Sequence, residues 1–303
     1  MIRFSLATRE TGHFGKFHEG HERVTVNPSE IPVLPKHPED QGFWKEFEDV
    51  VDAVGLAKTK SRYTNAIASC FENIGIKTAD RAAKLVSSDW PSDLIQIIAK
   101  DVLKQEGTKF REILPGPFVD KVVLLDRLFG ELAHVVAANS GAAKWGNELA
   151  RPQEIAWLIA NEKLKAPPLI IAKLRELEDF EKLTQGSLET HSRWFTLQGI
   201  GAPPHCSWIA MHSSAVEASC YALRVMVEMT EATLSDCILA VNNVGGFRTL
   251  LGVHYEQDNI AGYWLGQETA KRYLPDFFRS FGADMGLLKA AMKKAEVDWL
   301  ASY

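Results

Sequence analysis

The sequence lacks the patterns that mark secreted, zinc-binding and membrane proteins. Its four cysteines, Cys70, Cys206, Cys220 and Cys237, contain no CxxC pair, so they indicate neither a zinc site nor a disulfide framework. We expect them to be buried free thiols in a reducing compartment. No apolar run approaches the roughly 20 residues that span a bilayer, and the first residues lack the apolar segment of a signal peptide. These absences predict a soluble or cytoplasmic protein with no membrane span.

An excess of positive charge is also missing, because 34 basic residues face 39 acidic ones and the net charge is −5 at pH 7. This balance argues against a nucleic-acid-binding surface. The hydrophobic fraction of 46% is ordinary for a globular protein, and 303 residues can bury a full core. Any cluster of basic side chains in this chain therefore needs a local reason.

Strand patterns and internal repeats are nearly absent, whereas apolar residues recur with a helical period from Phe43 to Leu300. We therefore predict an all-α fold, a bundle of long helices in one domain at residues 43–303, with its functional core at about 116–280. The longest predicted helix has a wide apolar arc, which indicates a helix nearly surrounded by protein. Ser214 and Glu217 have the spacing of a capping box, which predicts a helix start at Ser214. The predicted helices are 43–57, 63–74, 79–85, 92–103, 118–139, 153–160, 169–180, 214–229, 233–241, 258–273 and 286–300.

The first 42 residues are polar, show no helical period and contain Pro28, Pro32, Pro35 and Pro38. This composition predicts an extended arm at residues 1–42. The arm either wraps the core or reaches a second subunit of a homo-oligomer, and a loosely ordered terminus is the alternative to both.

Two stretches upstream of residues 245–266 contain side chains that can bind an oxyanion. The first holds Lys144 and Arg151 seven residues apart, and Pro152 can open a helix directly after them. The second runs from Pro203 to His212 and leads into a predicted helix, whose N-terminus offers N–H groups to an anion. Taken singly, such residues are more often a surface pair and a capped core histidine.

The third stretch, Gly245–Gly266, contains Arg248, then His254 after five residues, then Asp258 four residues later. An arginine offers a planar fork of donors to an oxyanion. A carboxylate four residues after a histidine can lie on the same helical face and fix the tautomer of the ring. Gly252 lets the backbone pass close to these groups. The stretch therefore predicts an anion site with an oriented imidazole.

In order and spacing, the three stretches resemble the signature of the type 2 phosphatidic acid phosphatase and vanadium-dependent haloperoxidase superfamily. That signature reads K-x6-R-P, then P-S-G-H, then S-R-x5-H-x3-D. The chain matches it at Lys144, Arg151, Pro152, His212, Arg248, His254 and Asp258. The resemblance covers about residues 144–266 and agrees with an all-helical context.

The resemblance implies a role for each matched residue. Lys144, Arg151 and Arg248 would bind the oxyanion, and His212 would act as general acid and base. The residue that matches His254 attacks phosphorus in the phosphatases and is the metal ligand in the haloperoxidases. The implied cofactor is vanadate, with phosphate or sulfate as alternative occupants. Vanadium(V) then acts as a Lewis acid on hydrogen peroxide, and halide is oxidised to hypohalous acid.

Two features favour the haloperoxidase branch of the superfamily. A proline-rich loop with an aromatic residue, here Trp208, precedes His212, as it does in the haloperoxidases. His205 lies seven residues before His212, at a position that tends to be histidine in bromoperoxidases and phenylalanine in chloroperoxidases. The resemblance therefore implies that His205 and Trp208 lie on the halide side, with bromide or iodide as substrate and a small organic molecule as candidate halogen acceptor.

In the second part of the signature only His212 matches outright, and the third part lacks its serine. Ala210 and Met211 stand where serine and glycine usually bind the oxyanion, and Phe247 stands where serine is usual. The missing hydroxyl at Ala210 removes about 1.5–3 kcal/mol of anion affinity, unless Ser207 or Ser213 supplies a substitute. Two other functions stay open for this sequence. One is a soluble acid phosphatase with a phosphohistidine intermediate, and the other is a non-catalytic anion-binding relative.

Overall fold

The computed structural model describes residues 24–59, 92–116, 120–184, 186–197 and 205–301. Across these residues the fold is all-α, which confirms the predicted fold class. The strands found there, β1 (Lys109–Phe110) and β2 (Val227–Glu228), form one short antiparallel pair. The longer helices are α1 (Phe43–Thr59), α2 (Ser92–Leu103), α3 (Lys121–Asn147), α8 (Met211–Met226), α9 (Glu231–Leu250), α10 (Glu256–Arg279) and α11 (Met285–Ala295). The shorter ones are α4 (Pro152–Ala160), α5 (Pro168–Arg175), α6 (Phe180–Leu183) and α7 (Leu188–His191).

Helix α8 lies at the centre of the fold, where it packs against α3, α9, α10 and α11. All of its residues from Ser213 to Met226 are buried. Two glycines of α10 permit its close approach. A Cβ atom at Gly262 would lie 2.7 Å from the Ala210 carbonyl oxygen, and one at Gly266 would lie 2.1 Å from the Ser214 carbonyl oxygen. Because any larger residue would clash with this backbone, the two glycines set the spacing between α10 and the start of α8.

Two hydrophobic clusters form the core. The first surrounds α8 and draws on α2, α3, α9, α10 and α11. The second joins α1, α4, α5 and the start of α10 to residues before α1. Phe247 and Val253 belong to the first cluster, whereas Leu149 and Tyr255 belong to the second. The segments that carry the predicted site therefore lie where the two clusters meet.

Residues 24–42 of the predicted arm lie on the core of their own chain. Val26, Ile31 and Val33 are buried in the second cluster. The Val26 N–H donates to the Asn139 side chain at 3.0 Å, and Arg272 forms an ion pair with Glu30 at 2.6 Å. The described part of the arm therefore wraps the core.

Four of the observed helices begin at or next to the predicted start. Helix α2 has the predicted bounds, and α1, α4 and α11 begin within one residue of the predicted start. Predicted helices 63–74 and 79–85 lie outside the described residues. The segment predicted as one helix at 169–180 is divided into α5 and α6.

Two expectations about individual helices are wrong. Helix α8 begins at Met211, three residues before the predicted start, and its N-cap Ala210 makes no side-chain cap bond. Glu217 instead forms a buried ion pair with Arg224. Helix α3 is not surrounded by protein along its first half, because Val122 is 51% exposed and Val123 is 63% exposed. The apolar arc in that half is wider than the face that packs against the core.

Within the described part of the chain, no helix combines the length and apolar character that a membrane crossing requires.

Candidate functional site

Lys144 lies in the last turn of α3 and is fully buried. Its ammonium group donates to the main-chain oxygens of Cys206 at 3.0 Å and Ser207 at 2.9 Å. Burial lowers the pKa of Lys144 well below its usual value, and the charge of Arg151 lowers it further. An ammonium group has three N–H donors. Two of them therefore hold the loop that leads into α8.

Arg151, the N-cap residue of α4, is surrounded by protein acceptors. Its Nε donates to the His205 oxygen at 2.7 Å, and Nη1 donates to the Val253 oxygen at 2.6 Å. Nη2 lies 3.0 Å from His205 Nδ1 and 3.4 Å from the Cys206 oxygen. Nη1 also faces His254 Nε2 at 3.5 Å. These contacts engage all five donors of a guanidinium group, so an anion that binds Arg151 must replace some of them.

The ring of His254 is oriented by Asp258. His254 Nδ1 lies 3.0 Å from Asp258 Oδ2. The same oxygen accepts a hydrogen bond from the Tyr255 N–H at 3.1 Å and another from the Ser207 hydroxyl. Because Oδ2 also accepts from a main-chain N–H and a hydroxyl, it is an accepting oxygen, so Nδ1 carries the proton and Nε2 carries the lone pair. The lone pair therefore faces Arg151.

The helical position of this pair differs from the sequence prediction. His254 precedes α10, and Tyr255 is its N-cap residue. The two side chains therefore do not share a helical face. They meet because Asp258, at the third position of α10, turns back towards the N-terminus and also caps the Tyr255 N–H.

The electrostatic surroundings keep His254 neutral. Burial lowers its pKa well below the usual value for histidine, and Arg151, Lys144 and Arg248 lower it further. Burial raises the pKa of Asp258 to about 7, against the opposing effects of the Ser207 hydrogen bond and of Lys144. A neutral imidazole with a protonated Nδ1 can use Nε2 as a nucleophile or as a metal ligand.

Arg248 lies in the last turn of α9 and is 3% exposed. Its charge contributes to the lowered pKa of both Lys144 and His254, so the three cations share one region. Gly252 reverses the chain between Arg248 and His254 with a φ of +73°. A Cβ atom there would also lie 2.8 Å from Val54. The tight turn returns His254 to the end of α9.

His212 is the second residue of α8 and is half-buried. It lies close enough to His205 for its charge to be among the smaller causes that lower the pKa of His205, after burial and the charges of Lys144 and Arg151. Met211 is also half-buried. The Ala210 N–H donates to the main-chain oxygen of Asp258 at 3.0 Å, so this amide is engaged by the protein itself.

Ser207 and Ser213, which could have replaced the missing hydroxyl at Ala210, are both fully buried. Ser207 donates to the carboxylate of Asp258, and Ser213 donates to Asn259 Oδ1 at 3.0 Å. Neither hydroxyl proton is directed to the cations. Sequence reasoning missed the link from Ser207 to Asp258, because nothing in the spacing of these residues joins them.

His205 contacts Arg151 directly, whereas Trp208 lies in the core. Burial lowers the pKa of His205 well below the usual value, and the charges of Lys144 and Arg151 lower it further. His205 Nδ1 lies 3.0 Å from an Arg151 donor and 3.2 Å from the Cys206 carbonyl oxygen, and these two contacts require opposite protonation of this nitrogen. Trp208 is 1% exposed and belongs to the second hydrophobic cluster, so its ring supports the loop through packing.

Cys206, Cys220 and Cys237 are buried free thiols, as predicted, and Cys70 lies outside the described residues. In the ranges that the structure covers, no group of three or more His, Cys, Asp or Glu side chains could hold a metal ion. The candidate site therefore consists of three buried cations and one oriented histidine.

No protein-family model matches the chain, and no curated protein matches it either.

Proposed function

We propose that this chain is a vanadium-dependent haloperoxidase that oxidises bromide or iodide with hydrogen peroxide. The observation that carries the proposal is the state of His254. Its Nδ1–H is held by Asp258 at 3.0 Å, and its Nε2 faces Arg151. A neutral, oriented imidazole beside several buried cations is a donor set that suits an oxyanion with a metal centre.

The donor chemistry fits vanadate. Lys144, Arg151 and Arg248 would hold the anionic oxygens, and His254 Nε2 would bind the metal. Lys144 has one N–H beyond the two that reach carbonyl oxygens. Arg151 would exchange part of its present contacts for anion oxygens. When bound, vanadate would supply a Lewis acid that activates hydrogen peroxide towards halide.

The two neighbouring histidines, His212 and His205, would have different roles. His212, at the start of α8, would move protons between the reactants and solvent, since it is half-buried. His205 would line the halide side, because Arg151 holds its Nδ1 next to the cations. A small organic halogen acceptor would take the hypohalous acid after it leaves the site.

An acid phosphatase is the second candidate, and the same state of His254 favours it. A neutral Nε2 that is oriented through Nδ1 can attack phosphorus and expel an alcohol, with His212 as the acid. The phosphohistidine would then be hydrolysed by water. The two functions require the same cations, so only their substrates separate them.

The deciding assay is halogenation of an activated phenol by peroxide and bromide or iodide, before and after addition of orthovanadate. We expect little activity as purified and a clear gain with vanadate. His254→Ala should lose vanadate binding and activity, whereas His212→Ala should retain binding and lose about 10²–10⁴-fold in turnover. His134→Ala is the matched control, because His134 is an exposed histidine on α3.

Phosphate-ester hydrolysis that vanadate inhibits and His254→Ala abolishes would instead establish the phosphatase. The absence of both activities, together with no vanadate binding, would leave a non-catalytic relative.

A further inference from the structure

Ser207 is the residue that connects the cationic side of the site to the His254–Asp258 pair. It is fully buried, and its main-chain N–H donates to the Leu149 oxygen at 2.9 Å. Its carbonyl oxygen accepts from Lys144 at 2.9 Å. Its hydroxyl donates to Asp258 Oδ2 and lies 3.5 Å from His254 Nδ1. The backbone of Ser207 thus fixes the hydroxyl relative to both sides of the site.

The two carboxylate oxygens of Asp258 have very different surroundings. Oδ2 accepts from Ser207, from the Tyr255 N–H and from His254 Nδ1. Oδ1 is buried and has no hydrogen-bond partner among the described residues. The rotation of the carboxyl group is therefore set by the donors on Oδ2. Of these donors, Ser207 is the only side chain other than His254 itself.

We infer that Ser207 is a positioning residue, which orients the Asp258 carboxylate so that one oxygen receives the His254 Nδ1–H. The imidazole is then held in the tautomer and direction that leave Nε2 for an anion or a metal. Partners of this kind, which contact a ligand's own hydrogen-bond partner, typically change metal affinity by about 10–100-fold when removed. Only this consequence for anion binding rests on the proposed function.

The variant Ser207→Ala isolates the hydroxyl, because it retains the N–H and the carbonyl oxygen that contact Leu149 and Lys144. Ser214→Ala is the matched control. Ser214 is equally buried, but its hydroxyl donates to the Ala210 carbonyl oxygen within α8 at 3.2 Å. Ser207→Thr restores a hydroxyl at the same position and tests rescue.

The first readout needs no bound anion. In the NMR spectrum of ¹⁵N-histidine-labelled full-length protein, the His254 Nδ1–H should give a downfield, slowly exchanging signal. Ser207→Ala should shift this proton upfield and speed its exchange with solvent, and Ser214→Ala should leave it unchanged. Asp258→Ala is the positive control, because it removes the oxygen that accepts the His254 Nδ1–H. A signal identical in native protein and Ser207→Ala would overturn the inference.

The second readout is orthovanadate affinity, measured by ⁵¹V NMR or calorimetry. We expect Ser207→Ala to bind about tenfold or more weakly, Ser214→Ala to bind as the native protein does, and Ser207→Thr to recover most of the loss. Equal affinity in native protein and Ser207→Ala would overturn the role in binding. If native protein bound no vanadate, the proposed function would fail, and the NMR arm would still decide the positioning role.

Discussion

Two groups of buried charges lie near α8, and they differ in how far their positive charge is compensated by carboxyl groups. From the middle of the helix towards its C-terminal end, Glu217 and Arg224 form a one-to-one ion pair, and both side chains are at most 1% exposed. Arg224 also donates to the Ala295 oxygen at 3.0 Å, which ties α8 to the end of α11. At the N-terminal end, the cations of the candidate site outnumber the buried carboxylates.

The candidate site contains Lys144, Arg151 and Arg248. The buried carboxyl group of Asp258 lies near Lys144 and Arg151, and that of Glu154 lies near Arg151. The pKa of Asp258 is raised to about 7, chiefly by burial, so even this compensation is incomplete near neutral pH. A buried charge lowers stability unless it is paired. The Glu217–Arg224 pair therefore fits a structural role. The group of Lys144, Arg151 and Arg248, in which positive charge is in excess, fits a site for an added anion.

The largest expected effect lies in the balanced pair. Glu217→Gln leaves Arg224 as an uncompensated buried charge and should lower the free energy of unfolding by about 3–5 kcal/mol, measured by urea titration. Phosphate affinity should stay unchanged, because Glu217 does not contact the site. A loss below about 1 kcal/mol would show that the Glu217–Arg224 pair does not have the structural role that separates it from the cations of the candidate site.

Lys144→Met should weaken phosphate binding and have little effect on stability, the reverse of Glu217→Gln. The free energy of unfolding should change by less than about 2 kcal/mol, because the lost hydrogen bonds to Cys206 and Ser207 are offset by relief of a costly buried charge. Phosphate affinity should fall about 10–100-fold, the value of one hydrogen bond to a charged group. Calorimetry with phosphate and urea unfolding measure the two quantities. A stability loss as large as that of Glu217→Gln, with phosphate binding unchanged, would make Lys144 a structural residue.

The pH dependence of stability sharpens the comparison at Asp258. Its pKa is about 7 in the folded protein, well above the usual value for an aspartate, so the folded state binds this proton more tightly than the unfolded state does. The resulting stability is fully present below the unfolded pKa and is lost as pH rises through about 7. Relative to Asp258→Asn, native protein should therefore lose about 1–2 kcal/mol between pH 5.5 and 7.

Asp276→Asn is the control for this experiment, because Asp276 is exposed near the end of α10. A stability difference between native protein and Asp258→Asn that stays constant with pH would show that folding does not raise the pKa of Asp258.

The smallest expected effect concerns halide selection. His205→Phe should lower the ratio of bromide to chloride turnover severalfold in vanadate-loaded protein, because phenylalanine removes the imidazole that Arg151 holds at 3.0 Å. Parallel initial-rate assays with the two halides measure the ratio. An unchanged ratio would show that His205 does not select the halide. It would not bear on the proposed anion site.

The sequence was sufficient to predict the all-α class, because helical periodicity and capping signals are local. It mispredicted the start of α8, because Ser214 and Glu217 have capping-box spacing although Glu217 pairs with Arg224. Tertiary packing decides between these two uses of one carboxylate, and the spacing of residues does not record it.

The candidate site was predictable in its residue types but not in its contacts. Motif spacing identified Lys144, Arg151, Arg248, His254 and Asp258, which the fold places in one buried region. It could not show that Arg151 contacts carbonyl oxygens and two imidazoles, since main-chain acceptors carry no sequence signal. For the same reason, the contact of Ser207 with Asp258 appeared only in the fold.

The most direct test of the central claim is orthovanadate binding to native protein and to His254→Ala, with phosphate as competitor. The unbalanced cations and the neutral His254 predict one vanadate per chain, displacement by phosphate, and affinity at least about tenfold weaker in His254→Ala. Absence of binding, or binding that neither phosphate nor the His254 substitution weakens, would contradict the account.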